Sequence, residues 1–171
     1  MTRPRILIAC IGNIFMGDDG FGVEVARALA ARKLPDEVRL VDFGIRGFDL
    51  AYALLDGYDV TIFVDATSRG EAPGTLYTIE PDLDELKDLD PQAMMVEPHG
   101  MNPMKVLAMV KSMGGKFERI LLVGCEPETL GPEEGLMGLS EPVQKAVDEA
   151  ASMIELLVTG IQEGYNKSTT L

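Results

Sequence analysis

Two adjacent acids, Asp18 and Asp19, stand inside a glycine loop, Gly17-Asp18-Asp19-Gly20-Phe21-Gly22. A third, Asp65, follows the apolar run Val60-Thr61-Ile62-Phe63-Val64, and the single histidine, His99, stands in a Pro98-His99-Gly100 turn. Two carboxylates and one imidazole suit a borderline divalent metal such as nickel or zinc, with positions left open for exogenous ligands. The spacing is too long for a local metal motif, so only the fold can bring these groups together. Each has a plainer reading as well. Asp is favoured at a helix N-cap and in the first turn, an acid after a strand often caps a turn, and a lone histidine is commonly structural. Capping accounts for one of the two adjacent acids; a pair inside a glycine loop exceeds what a cap requires and leaves a ligand role for the other.

The elements that must position these residues are legible from periodicity. Arg5 to Ile11 is a short run of mostly branched apolar residues ended by Gly12-Asn13, the pattern of a strand buried on both faces of a parallel sheet. A helix is expected from near Gly20 to about Lys33, with Val23, Val25, Ala26, Leu29 and Ala30 on its apolar face. Glu37 to Phe43 predicts a second strand, Phe48 to Leu55 a short helix, and Val60 to Val64 a third strand delivering Asp65. Thr75 to Ile79 is a half-buried strand able to lie antiparallel at the sheet edge. Pro81 to Asp90 reads as an acidic solvated face. A helix follows from about Pro103 to Met113, a buried strand from Arg119 to Cys125, and a last helix from Ser140-Glu141-Pro142 to about Val158. This alternation predicts an α/β protein, a three-layer α/β/α sandwich around a mostly parallel twisted sheet of about five strands. Residues 1–160 are expected to form one domain, and the polar tail 161–171 is expected to fray.

A nucleotide site is the first rival. G-x-G-x-x-G is absent, since Gly12, Gly17, Gly20 and Gly22 have the wrong spacing, and no Gly-Lys-Ser/Thr follows. Two carboxylates also stand where a phosphate needs backbone donors and a positive helix end. One residue favours the rival: Asp42 closes the second strand, where a ribose-binding acid would lie.

With 28 Asp+Glu against 15 Lys+Arg, the 171 residues carry a net charge of −13, which makes nucleic acid and anionic membrane poor partners. No apolar run approaches the roughly 20 residues of a membrane span. The opening apolar run stops at Gly12-Asn13 with no small-residue cleavage site after it, so no signal peptide is expected. Cys10 and Cys125 fall in two apolar strands and read as small buried hydrophobes, consistent with a reduced, cytoplasmic protein. A monomer is the default expectation. The ten methionines read first as core filling, with an adaptable protein-binding surface around Met94, Met95, Met101 and Met104 as the sharper alternative.

Ile11-Gly12-Asn13, Gly17-Asp18-Asp19-Gly20-Phe21-Gly22, Asp65-Ala66, Pro73-Gly74-Thr75, Pro98-His99-Gly100, Gly124-Cys125-Glu126-Pro127 and Gly138-Leu139-Ser140 occur in an order that resembles the [NiFe]-hydrogenase maturation endopeptidases. Each piece is weak; the ordered set, from Ile6 to about Val158, is specific. The resemblance implies that Asp19, Asp65 and His99 bind the metal and act in catalysis through it. It also implies cleavage of a C-terminal extension from the hydrogenase large-subunit precursor once nickel has been inserted. That nickel would be the substrate's own; another divalent metal such as zinc or cadmium would occupy the site in vitro. A loop comprising Asp42, Gly44, Ile45, Arg46 and Gly47 is expected to help bind the precursor, through a partly apolar contact with Phe43, Ile45 and Phe48 as candidates.

The chain departs from the family pattern in two places. Cys10-Ile11-Gly12-Asn13 replaces a common Gly-x-Gly-Asn, and Phe43-Gly44-Ile45-Arg46-Gly47 replaces a Gly-Gly-Thr-x-Gly loop, which bears on the hydrogenase class served. With no second histidine to act as a base, Cys10 reads as structural rather than as a thiol nucleophile. For bond cleavage two routes stay open: the metal polarises the carbonyl or activates water, or it only marks the site while Asp18 or another acid serves as base. A non-catalytic nickel-binding or chaperone module for hydrogenase assembly is the alternative from another class.

Overall fold

The computed structural model describes residues 3–84, 103–130 and 138–169. Its elements in chain order are β1 (Ile6–Ile11), a 3-10 turn (Gly17–Gly20), α1 (Phe21–Ala30), β2 (Val38–Gly44), α2 (Gly47–Leu55) and β3 (Val60–Ala66). They continue with β4 (Leu76–Ile79), α3 (Pro103–Ser112), β5 (Arg119–Cys125) and α4 (Glu141–Thr169).

Every residue of β1 and β3 is buried, as their unbroken apolar sequences require of strands covered on both faces. The sheet runs β2-β1-β3-β5-β4, with only β4 antiparallel, against β5. The expected α/β sheet of about five strands with an antiparallel edge strand is therefore what forms. Alternate strand residues face opposite layers. Ile6, Ile8 and Cys10, with Ile62, Val64, Leu121 and Val123, pack under α1 and α4. Leu7, Ala9 and Ile11, with Phe63 and Ile120, pack under α2 and α3. Burying each such aliphatic side chain contributes about 1.5–3 kcal/mol, and this two-sided core holds the strand ends in place.

Helix boundaries differ from expectation in two places. The first helix begins with a 3-10 turn and ends at Ala30, short of Lys33. The last runs on to Thr169 instead of ending near Val158. Leu157 and Ile161 explain the extension, because they continue the face of Ile154 and Val158 at helical spacing and pack against the same core. Of the methionines offered for a binding surface, Met104 packs against the core under α2 and α3; Met94, Met95 and Met101 lie outside the described residues. No helix among the described residues is long and apolar enough to cross a membrane.

The topology singles out one crevice. From β1 the chain passes to β2 on one side and then crosses to β3 on the other, so the strand order reverses between β1 and β3. The carboxyl ends flanking such a switch point are where open α/β sheets bind ligands.

Candidate metal centre at the carboxyl edge of the sheet

Two glycines decide how the acidic turn sits on that crevice. A Cβ at Gly12 would overlap the carbonyl oxygen of Asp19, and one at Gly22 would overlap the carbonyl of Ile11 and press on that of Val64. Only glycine lets the 3-10 turn and the start of α1 lie directly on the backbones of β1 and β3. Asp19 is thereby laid over the end of β1, while Asp65 is the penultimate residue of β3. The backbone N–H of Asn13 donates to Asp19 Oδ2 at 3.0 Å. Among the described residues, no donor is recorded on Asp19 Oδ1.

Asp65 lies within reach of the charge of Asp19. Asp65 is 7 % exposed. Burial first, and then the neighbouring charge of Asp19, push its carboxyl well above the usual carboxylate value, against a backbone hydrogen bond from Ala66. Burial also raises Asp19, opposed by the Asn13 N–H. A buried carboxylate near a like charge favours a proton or a cation. Carboxylate oxygens from the 3-10 turn and the end of β3 are hard donors of the kind a divalent metal takes. Among the described residues no group of three His, Cys, Asp or Glu side chains is placed to hold a metal. The third expected ligand, His99, lies outside the described residues.

Asp18 points elsewhere: of the two roles the sequence leaves it, a helix cap or a partner that supports the metal ligand, the cap is not what forms. Neither the 3-10 turn nor α1 has a side-chain cap. Asp18 is wholly buried, and its carboxylate accepts four hydrogen bonds from the segment between β5 and α4. The donors are the N–H groups of Glu128 at 2.8 Å, Thr129 at 3.0 Å and Ser140 at 2.7 Å, with the Ser140 hydroxyl at 2.8 Å. In return the Asp18 N–H donates to the Thr129 carbonyl at 2.9 Å. Burial alone would raise this carboxyl, but the donors of Ser140, Thr129 and Glu128 together outweigh it and hold the group below its usual value. With its lone pairs so engaged, Asp18 is poorly placed to act as a base.

In the loop after β2, Asp42 Oδ1 accepts the Gly44 N–H at 2.9 Å, and Gly44 adopts the positive φ of 56° that this turn requires. Arg46 folds back on the same loop, donating to the Asp42 carbonyl at 2.6 Å and reaching Asp49 at 3.2 Å. The Gly12 N–H donates to the Gly44 carbonyl at 3.0 Å, which ties this loop to the end of β1 and sets Ile45, Arg46 and Gly47 beside the crevice. Ile45 and Phe48 are exposed as expected of a contact surface. Phe43 is a correction: it is 3 % exposed and packs in the core under α2, because its position in β2 faces inward. Tyr52 and Leu55, one and two turns beyond Phe48, extend the exposed apolar face along α2.

Both cysteines are buried and free. Burial, and then Asp42, push the Cys10 thiol far up; burial, with Asp18 and Glu126, raises Cys125 to about 12. Neither is a nucleophile. One further acid had no assigned role in the sequence. Glu126, just past β5 and 5 % exposed, accepts the N–H groups of Arg69 at 2.8 Å and Gly70 at 3.3 Å. Its signal was the one that Asp65 gave: an acid at the carboxyl end of a buried strand. A cavity of about 120 Å³ between Gly17, Gly20, Gly138 and Gln144 is lined by none of the candidate ligands.

Residues 23–156 match the family model described as hydrogenase maturation protease. The hydrogenase expression/formation protein HoxM of Azotobacter vinelandii is 36% identical, over 88% of this chain and 70% of its own length. The hydrogenase 2 maturation protease of Escherichia coli is 31% identical, over 88% of each chain. Among solved structures, the hydrogenase maturating endopeptidase HybD from E. coli superposes with a TM-score of 0.70 at 29% identity, covering 91% of this chain and 93% of that one. The chain belongs to the hydrogenase maturation protease family, and it is a peptidase.

Proposed function

We propose that this peptidase removes a C-terminal extension from the precursor of a [NiFe]-hydrogenase large subunit after nickel insertion, and that the precursor's own nickel marks the bond to be cut. Asp19, Asp65 and His99 would hold that nickel. The observation that carries the reading is the Asp19–Asp65 pair at the switch point of the sheet: one carboxylate on the 3-10 turn after β1 and one at the end of β3, both desolvated, with the charge of Asp19 raising Asp65. A bound divalent cation removes the repulsion and would draw the scissile bond beside it. There the metal can polarise the carbonyl or activate water.

This chain's residues then divide the work. Asp19 and Asp65 would serve as ligands, and Asp18, which is lowered and already accepts four hydrogen bonds, is poorly suited to act as the base. The exposed Ile45 and Phe48, beside the crevice, offer the precursor an apolar contact that does not depend on charge. Purified precursor in nickel-loaded and nickel-free forms, incubated with the protein and weighed by mass spectrometry, tests the proposal. The loaded form should lose a C-terminal peptide and the empty form should not. Equal cleavage of both removes nickel as the recognition point, and bound metal with no mass loss points to a non-catalytic nickel module.

A further inference from the structure

The β1–β3 ladder does not by itself set how Asp19 and Asp65 are spaced. Its last registered pair is Cys10 with Val64, and Asp19 lies well beyond it in the 3-10 turn. Beside the contact of the turn with β1 and β3, a second reference is β5. Asp65 is registered to Gly124 of β5, and the two segments are tied again just beyond. There the Glu126 carboxylate accepts the Arg69 and Gly70 N–H groups at 2.8 and 3.3 Å, and the Thr67 N–H donates to the Cys125 carbonyl at 3.1 Å. The turn bearing Asp19 is tied to the same β5–α4 segment by the four hydrogen bonds that Asp18 accepts from Glu128, Thr129 and Ser140. Both tying groups are buried carboxylates, Asp18 wholly and Glu126 to 5 % exposure. A carboxylate is acceptor-only and can take several N–H groups at once, whereas an amide turns one end into a donor.

We propose that Asp18 and Glu126 are positioning residues that bind the loops after β1, β3 and β5 into one unit and so fix how Asp19 and Asp65 face each other. The proposal rests on the nickel reading for its consequence and on these hydrogen bonds for its geometry. Asp18 acts through Asp19 beside it, and Glu126 acts across to the loop that follows Asp65, whose Arg69 and Gly70 N–H groups it accepts.

The test compares Asp18→Asn, Glu126→Gln and a core control, Ile154→Val, in the full chain. Three readings are taken: Ni²⁺ affinity by calorimetry, the melting temperature, and the backbone amide resonances of the metal-free protein. Asp18→Asn should weaken Ni²⁺ binding by about 10- to 100-fold, the range for a group that orients a ligand, and Glu126→Gln should weaken it less. Asp18→Asn should also shift the amides of residues 65–70, across the tie. Ile154→Val should lower the melting temperature and leave affinity at the parental value. If Asp18→Asn does not fold, Ser140→Ala, which deletes only the hydroxyl donor, should show the same pattern at smaller size. Lower melting temperatures with parental affinity and unshifted 65–70 amides would overturn the proposal and leave the two acids as loop anchors. If the parent protein takes up no free Ni²⁺, cleavage of nickel-loaded precursor replaces affinity as the reading, parental cleavage by Asp18→Asn overturns the proposal, and the amide shifts still decide whether the tie exists.

Discussion

Asp18 and Asp65 stand at the same edge of one sheet, both buried, and they are opposite in character. Asp18 has four donors and is held below the usual carboxylate value; Asp65 has a like charge for a neighbour and is held well above it. Burial is the largest influence named for each, so burial does not decide the outcome. What decides it is whether the surrounding backbone points N–H groups at the carboxylate. A carboxylate saturated by donors is part of the scaffold, and one left facing another charge is available to a cation.

The largest effect expected from breaking this contrast is loss of activity. Asp65→Ala and Asp19→Ala should each abolish metal uptake and precursor processing while circular dichroism stays parental; either variant processing normally would remove the pair from the site. Next comes stability at Asp18. Asp18→Asn leaves buried donors without an acceptor and should destabilise the protein by about 1–3 kcal/mol in denaturant titrations. A change within error would mean that the four hydrogen bonds hold nothing in place.

A third test uses pH, and the two acids should respond with opposite sign. Asp18 is lowered in the folded state, so its stabilisation is present above its unfolded value and is lost as pH falls through its folded value. Asp65 is raised, so its contribution is full below the unfolded carboxylate value of about 3.9 and is lost as pH rises through its folded value. Metal-free Asp65→Asn should therefore melt higher than the parent at neutral pH, with the advantage vanishing in acid. A melting point equal to the parent's at both pH values would show that Asp65 is not strained. The smallest effect concerns the contact surface. Phe48→Ser, on an exposed side chain, should move stability by no more than about 0.5 kcal/mol while raising KM for the precursor; an unchanged KM would place the contact elsewhere.

Much of this was readable from the chain. The unbroken apolar runs of β1 and β3 mark strands covered on both faces, whereas the backbone-to-backbone approach at Gly12 and Gly22 is visible only in the fold. Asp65 was visible because it ends such a run. What was not legible was the orientation of neighbours. Asp18 and Asp19 are adjacent and chemically identical, and a cap was the natural reading of one of them. The partners of Asp18 lie more than a hundred residues away, from Glu128 to Ser140, and no local pattern encodes them. Phe43 and Phe48 looked alike as contact residues; the two-residue period of β2 turned Phe43 inward, while the α2 helix turned Phe48 out. The role of Glu126 was hidden for the same reason as that of Asp18, since it is defined by the N–H groups of a loop that follows a different strand.

X-ray absorption at the nickel edge of the Ni²⁺-loaded protein decides whether Asp19 and Asp65, and not Asp18, hold the metal. The account predicts a shell of oxygen and nitrogen donors with the outer scattering of one imidazole from His99 and no sulfur. That imidazole signal should disappear in His99→Ala, and the oxygen shell should be lost in Asp65→Ala. A shell containing sulfur, or a spectrum that Asp65→Ala leaves unchanged, would contradict it.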